Sequence, residues 1–388
     1  MKKFYILLIA IFTMNVANAQ WQQTSLNSGN FDAIVINDGN IYAAADDLFL
    51  STDYGNSWTS KGFPYLPGGI NTFVIKGNNI ILGTFYGVYL STINDSNWTT
   101  GNTGLVGYPL YINSLFVKDS NIYLGSYGIY MSTNNGSNWI GLDTALLKYS
   151  DIDAFVVKDS IIFAGVSNEG GVYLSTNNGI SWTNSSAGLN ANSSSITSLA
   201  IFGNYIIAGT LNNGVFLSPN NGSSWIASYL QNVKVKTLLI YGNTIFAGCD
   251  GDGVLISNDG YNWAAINSGL DYPYVSSLGI AGGYLFAGTM YNGVWKRPLS
   301  EIGIYGIKDN FVDNNISIYP NPTKDNLTIE TNANQEQRLE ILNLFGQTVY
   351  TNSINKKAVV NTSAFANGVY ILKIYSDKET IVRKFIKE

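Results

Sequence analysis

The chain has 388 residues, of which 46% are hydrophobic, 13% aromatic and 12% charged, and it carries a net charge of −5 with no histidine and one cysteine. That is ample material for two cores, and it excludes a Ser-His-Asp triad, histidine acid–base chemistry, the usual zinc sites and a disulfide framework. Residues 20–300 hold 9 Lys and Arg against 16 Asp and Glu, a net −7, while residues 301–388 hold 10 of each, so the acidic, arginine-poor body argues against nucleic acid or an anionic membrane as a partner.

The chain opens with Lys2 and Lys3, an apolar run from Phe4 to Phe12, and Ala17-Asn18-Ala19 ahead of Gln20. Basic flank, short apolar run and small-residue site predict a secretory signal peptide over residues 1–19, cut between Ala19 and Gln20. The run is well short of the ~20 residues a membrane span needs. No transmembrane helix is therefore expected in the mature chain, and no cysteine follows the cleavage site to carry a lipid.

Beyond this leader the octet Ser51 to Trp58, STDYGNSW, recurs in imperfect copies ending at Trp98, Trp139, Trp182, Trp225 and, shortened, Trp263. Successive tryptophans lie 40, 41, 43, 43 and 38 residues apart, a period that suits one four-stranded sheet per repeat. Within a repeat the signals keep one order. In the third, Ile112 to Ser126 gives two apolar strands around a Lys-Asp-Ser-Asn turn, GIYMST gives a third, and Trp139 begins a fourth. Gly77-Asn78, Gly203-Asn204, Gly242-Asn243 and Gly282-Gly283 mark the corresponding two-residue turns, whose central residues are expected to need positive φ.

The octet itself reads as a hairpin, in which serine ends one strand, Asp or Asn bonds the N–H groups of the turn, and glycine supplies positive φ. It resembles the Asp box of sialidase-like and sortilin-like β-propellers, matched in full at Ser51, Asp53, Gly55, Ser57 and Trp58. Asn134, Asn177 and Asn220 stand in for the aspartate in later copies, Asp259 closes the series, and the second copy carries Ile93 and Asp95 at key positions. The resemblance implies a structural staple remote from the active face. It does not carry sialidase activity over, because Arg297 is the one arginine of the propeller, where sialidases hold the substrate carboxylate with three.

First strands starting near Phe31, Ile70, Ile112, Ile152, Ile196, Val235 and Val275 predict seven blades. The seventh lacks a fourth strand, and Trp21 to Gly29, WQQTSLNSG, resembles the fourth strands of other repeats. The fold class is therefore all-β, a seven-bladed β-propeller over residues 20–300 closed by its N-terminal strand. Strand 1 to 2 turns and octets should share one face. Strand 2 to 3 loops and blade connections should share the other, with Tyr65, Phe85, Tyr86, Tyr108, Tyr111, Tyr127, Tyr149, Tyr272, Tyr274 and Tyr291 and the acids Asp46, Asp47, Glu169, Asp250 and Asp252. Rings with interspersed carboxylates suit a sugar or peptide ligand. Asp250-Gly251-Asp252-Gly253 is too poor in ligands for calcium and reads as a tight hairpin, so no metal or other cofactor is expected.

Residues 301–315 read as a linker. From 316 to 388, Tyr319-Pro320-Asn321-Pro322, then Gly346, then Gly368-Val369-Tyr370, then Arg383, Lys384 and Lys387 punctuate alternating strands. This stretch resembles the C-terminal sorting domain of type IX secretion substrates of Bacteroidetes. The resemblance implies a small immunoglobulin-like β-sandwich, handling by the type IX machinery, and an extracellular or outer-membrane-surface destination. Together these features point to an exported binding or scaffold module for a carbohydrate or protein ligand. The alternatives are a glycoside hydrolase using two ligand-face carboxylates and an assembly factor for a surface complex.

Overall fold

A computed structural model describes residues 20–106, 110–142, 150–168, 170–189, 195–303, 316–331, 335–343, 347–375 and 380–388. The chain divides into two compact units between Gly303 and Ile304. The signal peptide, Tyr108, Tyr149, Glu169, Gly346 and most of the linker lie outside the described residues.

The described residues of the first unit form seven four-stranded antiparallel sheets. Six are built from consecutive strands. Their inner strands, with that of the seventh sheet, are Ala33–Asn37, Ile70–Lys76, Ser114–Lys118, Ile152–Lys158, Ile196–Phe202, Val235–Tyr241 and Val275–Ala281. Each inner strand touches the next, and Ala33–Asn37 touches both Ile70–Lys76 and Val275–Ala281, so the series closes on itself. The second strands are buried along most of their length, as in NIILGT and NIYLGS, because they are covered by a sheet on either side. Apolar clusters fill the spaces between neighbours. One joins Phe31, Ile41 and Ala43 of the first sheet to Ala281, Phe286 and Val294 of the seventh.

The seventh sheet takes its outer strand from the other end of the unit. Gln22 pairs with Lys296 and Gln23 with Trp295, as the N-terminal alignment anticipates. Trp21 also repeats the bonds of two of the octet tryptophans. Trp139 Nε1 donates to Gly101 O at 2.8 Å and Trp225 Nε1 to Ser185 O at 2.6 Å, one repeat back. Trp21 Nε1 donates to Ile266 O at 2.6 Å. Its backbone N–H reaches Ser268 O at 2.9 Å, just as those of Trp139 and Trp225 reach Thr103 O and Ala187 O at 2.8 Å. A Cβ on Gly269 would come within 2.9 Å of Trp21 O, so the close approach requires glycine there.

The octets are side-chain staples. Ser51 Oγ donates to Asp53 Oδ1 at 2.9 Å and accepts from Gly55 N at 2.8 Å, while Asp53 Oδ1 accepts from Ser57 N at 2.8 Å. The Ser57 hydroxyl, which donates to Asp53 Oδ2 at 2.6 Å, and then the Ser57 N–H hold the Asp53 carboxyl down at about 2, with Ser51 adding to the effect. Asparagine serves equally. Asn134, Asn177 and Asn220 accept from the N–H four residues on at 3.0, 2.9 and 2.9 Å. In the degraded second copy, Ile93 cannot accept, and the buried Ser91 Oγ has no hydrogen-bond partner. Ser132→Ala should therefore cost about 1–2 kcal/mol, and Ser91→Ala should change stability by less than about 0.5 kcal/mol in either direction. Urea midpoints of the two variants check the contrast, and equal losses would sink it.

Two expectations are corrected here. In Gly77-Asn78, Gly203-Asn204 and Gly242-Asn243 only the glycine takes positive φ, at 58°, 55° and 57°, whereas both residues do in Gly282-Gly283. The glycine-first turns thus need one left-handed residue rather than two. The fourth strands begin one residue after the tryptophan and run for only two residues, as at Thr59–Ser60 and Ile140–Gly141.

The second unit packs strands Ile316–Tyr319, Asn326–Thr331 and Lys357–Asn361 in one sheet, and Gln337–Asn343, Thr348–Ile354, Gly368–Tyr375 and Thr380–Lys387 in another. Leu327, Ile329, Leu339, Ile341, Leu372, Ile374 and Phe385 form its core.

Candidate functional site

The two faces separate as the repeat order dictates. Lys118 Nζ, beside a strand 1 to 2 turn, donates to Asn178 Oδ1 of an octet at 3.1 Å. On the opposite face, the strand 2 to 3 loops meet the connections to the next sheet, as where Tyr127 bridges Asp151 and Asp250 bridges Tyr274.

Between the third and fourth sheets this second face opens into a cleft of about 320 Å³ lined by Tyr111, Asn113, Tyr127, Asp151, Asp153 and Ser167. The Tyr111 and Tyr127 rings stand nearly perpendicular with centroids 6.1 Å apart, and Phe85 meets Tyr111 edge-on at 5.0 Å. The rings form a file running into the cleft. Asp151 accepts from Asn168 Nδ2 at 2.6 Å.

A shared irregularity brings Asp153 there. In five inner strands the pairing slips by one residue near the start, between Ile70 and Thr72, Ile152 and Ala154, Ile196 and Ser198, Val235 and Thr237, and Val275 and Ser277. The residues skipped are Asn71, Asp153, Thr197, Lys236 and Ser276, all polar. A bulged residue leaves the ladder and can be re-aimed. Three of them clip neighbouring sheets together, for Asn71 donates to Ile112 O at 3.1 Å, Thr197 to Val235 O at 2.5 Å and Ser276 to Phe31 O at 2.9 Å. Asp153 and Lys236 are charged, and Asp32 holds the matching place in the first sheet.

Burial pushes the Asp153 carboxyl up to about 6, against hydrogen bonds from Ser167 and Asn113, with Asp151 adding to the rise and Lys236 opposing it. Asp32 is likewise raised, by burial, with Lys236 opposing. One lysine thus serves two carboxylates from different sheets.

Of the residues expected on this face, Tyr127 lines the cleft at 47% exposure, and Tyr65, Tyr86 and Tyr291 stand exposed at 74%, 40% and 66%. Tyr272 and Tyr274 pair at 4.7 Å beside Asp250, whose carboxylate lies 3.8 Å from Lys234 Nζ. Asp252 offers its carbonyl to Asn267 Nδ2 at 2.7 Å, and Asp47 Oδ1 accepts from Leu48 N and Phe63 N at 2.7 and 2.8 Å. Cys249 pairs with Gly253 around the Asp250–Asp252 turn, a hairpin. Asp47, Asp250 and Asp252 are therefore each engaged at their own turn or with a neighbouring lysine, and none of them lines the cleft. The acids that line the cleft, Asp151 and Asp153, were not among those expected. Stacking the repeats in register shows the signal for Asp153, a polar residue directly after the apolar one that opens each inner segment, at Asp32, Asn71, Asn113, Asp153, Thr197, Lys236 and Ser276.

In the second unit the segment from Tyr319 to Thr323 and the last strand are one structure. Asn321 Oδ1 accepts from Ile386 N at 2.9 Å, Thr323 N donates to Ile386 O at 2.8 Å, and Glu388 N donates to Thr323 O at 2.9 Å. The Tyr319–Pro320 and Asn321–Pro322 peptides are cis. Tyr319 Oη donates to Glu330 Oε1 at 2.8 Å, and Tyr370 stacks on Phe385 at 5.5 Å beside Gly368, which pairs with Lys387.

Residues 317–388 match the family described as the secretion system C-terminal sorting domain. The protein is accordingly a type IX secretion substrate, exported to the cell surface or the extracellular space. No helix among the described residues is long and apolar enough to cross a membrane.

The fold of the remainder is propeller-like. PorZ, an essential bacterial surface component of the type IX secretion system of Porphyromonas gingivalis, is similar at 17% identity and TM-score 0.58, over 93% of this chain and 59% of that protein. The extracellular domain of a hybrid two-component system, BT4673 of B. thetaiotaomicron, is similar at 16% identity and TM-score 0.63, over 81% of this chain and 46% of that one. YCF48 bound to D1 peptide is similar at 13% identity and TM-score 0.55, over 74% of this chain and 96% of that one. The chain thus spans about half the length of the first two. No curated protein matches it in sequence.

Proposed function

We propose that the chain is an extracellular binding module, a seven-bladed Asp-box β-propeller that presents a carbohydrate or protein ligand site on its aromatic face. Residues 1–19 serve as signal peptide, and an immunoglobulin-like sandwich over 316–388 addresses the product to the type IX machinery. The observation that carries this reading is the cleft at Tyr111, Tyr127, Asp151 and Asp153, because two aromatic rings and two carboxylates converge there on one open depression. The ring of seven sheets supports the propeller assignment, and YCF48, of similar fold, has been seen with a peptide bound. A glycan array and a pull-down with the exported chain test the reading. No ligand in either, together with turnover of a polysaccharide panel, would overturn it.

One observation favours a hydrolase as the second reading. Asp151 and Asp153 share the cleft, and a carboxyl held at about 6 has the property of a general acid. Release of reducing sugar that disappears in Asp153→Asn would establish it. For the address, deletion of residues 317–388 is expected to leave the protein inside the outer membrane, and cell fractionation reads the result. Undiminished export of the truncated chain would refute that role.

A further inference from the structure

The polar groups of the cleft are unequal in kind. Of the side-chain donors there, Ser167 Oγ donates to Asp151 O at 3.4 Å and Asn168 Nδ2 to Asp151 Oδ2 at 2.6 Å, while Asn113 lies in the cleft with Asp153. What remains is two carboxylates, which only accept, and the hydroxyls of two tyrosines, which donate or accept. A sugar hydroxyl can donate to a carboxylate, but ammonium and guanidinium groups donate only and carry the opposite charge, which makes them the stronger match for two carboxylates. None of the ion pairs within 4.0 Å among the described residues involves Asp151 or Asp153. Phenol rings also favour a cation over their faces. The surrounding body has a net charge of −7, which draws cations toward it.

We infer that the cleft receives a lysine or arginine side chain of an extracellular polypeptide, held by the Asp151 and Asp153 carboxylates against the Tyr111 and Tyr127 rings. This rests on the reading of that face as a ligand surface. A polypeptide rather than a lone amine fits because the aromatic file continues past the cleft to Phe85, next in sequence to the exposed Tyr86, so residues flanking the cationic anchor have rings to lie on. The groups that face Asp153 are Asp151 beside it, Ser167 and Asn113 from adjoining strands, Lys236 of the sixth sheet, and the two tyrosines. Lys236 is shared with Asp32, so it only partly offsets the pair.

The test uses the full exported chain and fluorescent, end-blocked tetra-arginine and tetra-lysine peptides, with tetra-glutamine, chitin and chitosan oligomers as further arms. Binding of the cationic peptides is expected to weaken about tenfold or more in Asp153→Asn and in Asp151→Asn. Asp119→Asn and Asp159→Asn, in turns on the opposite face, should change it by less than about twofold. Affinity should also fall as the pH drops through about 6. Equal losses in the opposite-face variants would reveal diffuse attraction and overturn the inference, as would no peptide binding at all. Chitin or chitosan binding that is lost in Tyr127→Ala, without peptide binding, would leave the face a ligand surface and refute only the cationic peptide. Binding of none of these probes would count against both.

Discussion

Trp21→Ala is expected to cost about 3–5 kcal/mol and to lower the thermal midpoint by about 10 °C. Trp21 is buried to 3% exposure, and its indole and backbone N–H groups tie the closing strand to Ile266 and Ser268 of the sixth sheet. Removing the ring leaves a cavity and frees Gln22 and Gln23 to leave the third strand of the seventh sheet, baring an edge. Trp263→Ala is the control. Trp263 is only half-buried and bonds within its own turn, to Gly260 O at 3.0 Å, so its loss should be roughly half as large. Equal midpoints for the two variants would show that closure does not depend on the N-terminal strand.

Asp153→Asn is expected to stabilise the protein at neutral pH and to leave it unchanged in acid. The Asp153 carboxyl titrates at about 6 in the folded chain against 3.8 when free. Between those values the folded state keeps a proton that the unfolded chain has released, so stability falls as the pH rises through that window. The full shift corresponds to about 3 kcal/mol. Water in the open cleft reduces it, and about 1–2 kcal/mol is the expected gain above pH 7. Melting curves of the two proteins should therefore converge below about pH 4. A gain that persisted in acid would have to come from packing rather than charge. If the same variant loses its ligand, the cleft is a place where binding is maintained against stability.

The repeat period, the strand order, the borrowed N-terminal strand and the staple role of Asp53 and its asparagine substitutes were legible because each is written in local sequence. Trp21 could be aligned with the octet tryptophans from its neighbours alone, and its bonds match those of Trp139 and Trp225. The cleft was not legible. Asp151 and Asp153 flank Ile152 in an alternation that reads as an ordinary strand edge, and a one-residue slip at Asp153, invisible in periodicity, lifts it out of the ladder. Its tyrosines come from the preceding repeat, so the pocket exists only once two sheets are side by side. Asp47, Asp250 and Asp252 misled for the opposite reason, because loop acids commonly serve the backbone of their own turns.

Ring closure also sets an order of events. Trp21 finds its partner 245 residues further along the chain, and no earlier segment can substitute for it. Contacts of such long range are slow to form, since the loop must be closed before any of its energy is returned. The first strand to leave the ribosome is thus the last to be satisfied. Until the seventh sheet has been made the unit remains open at one seam, because the strand that fills the outer place of that sheet has nothing to pair with.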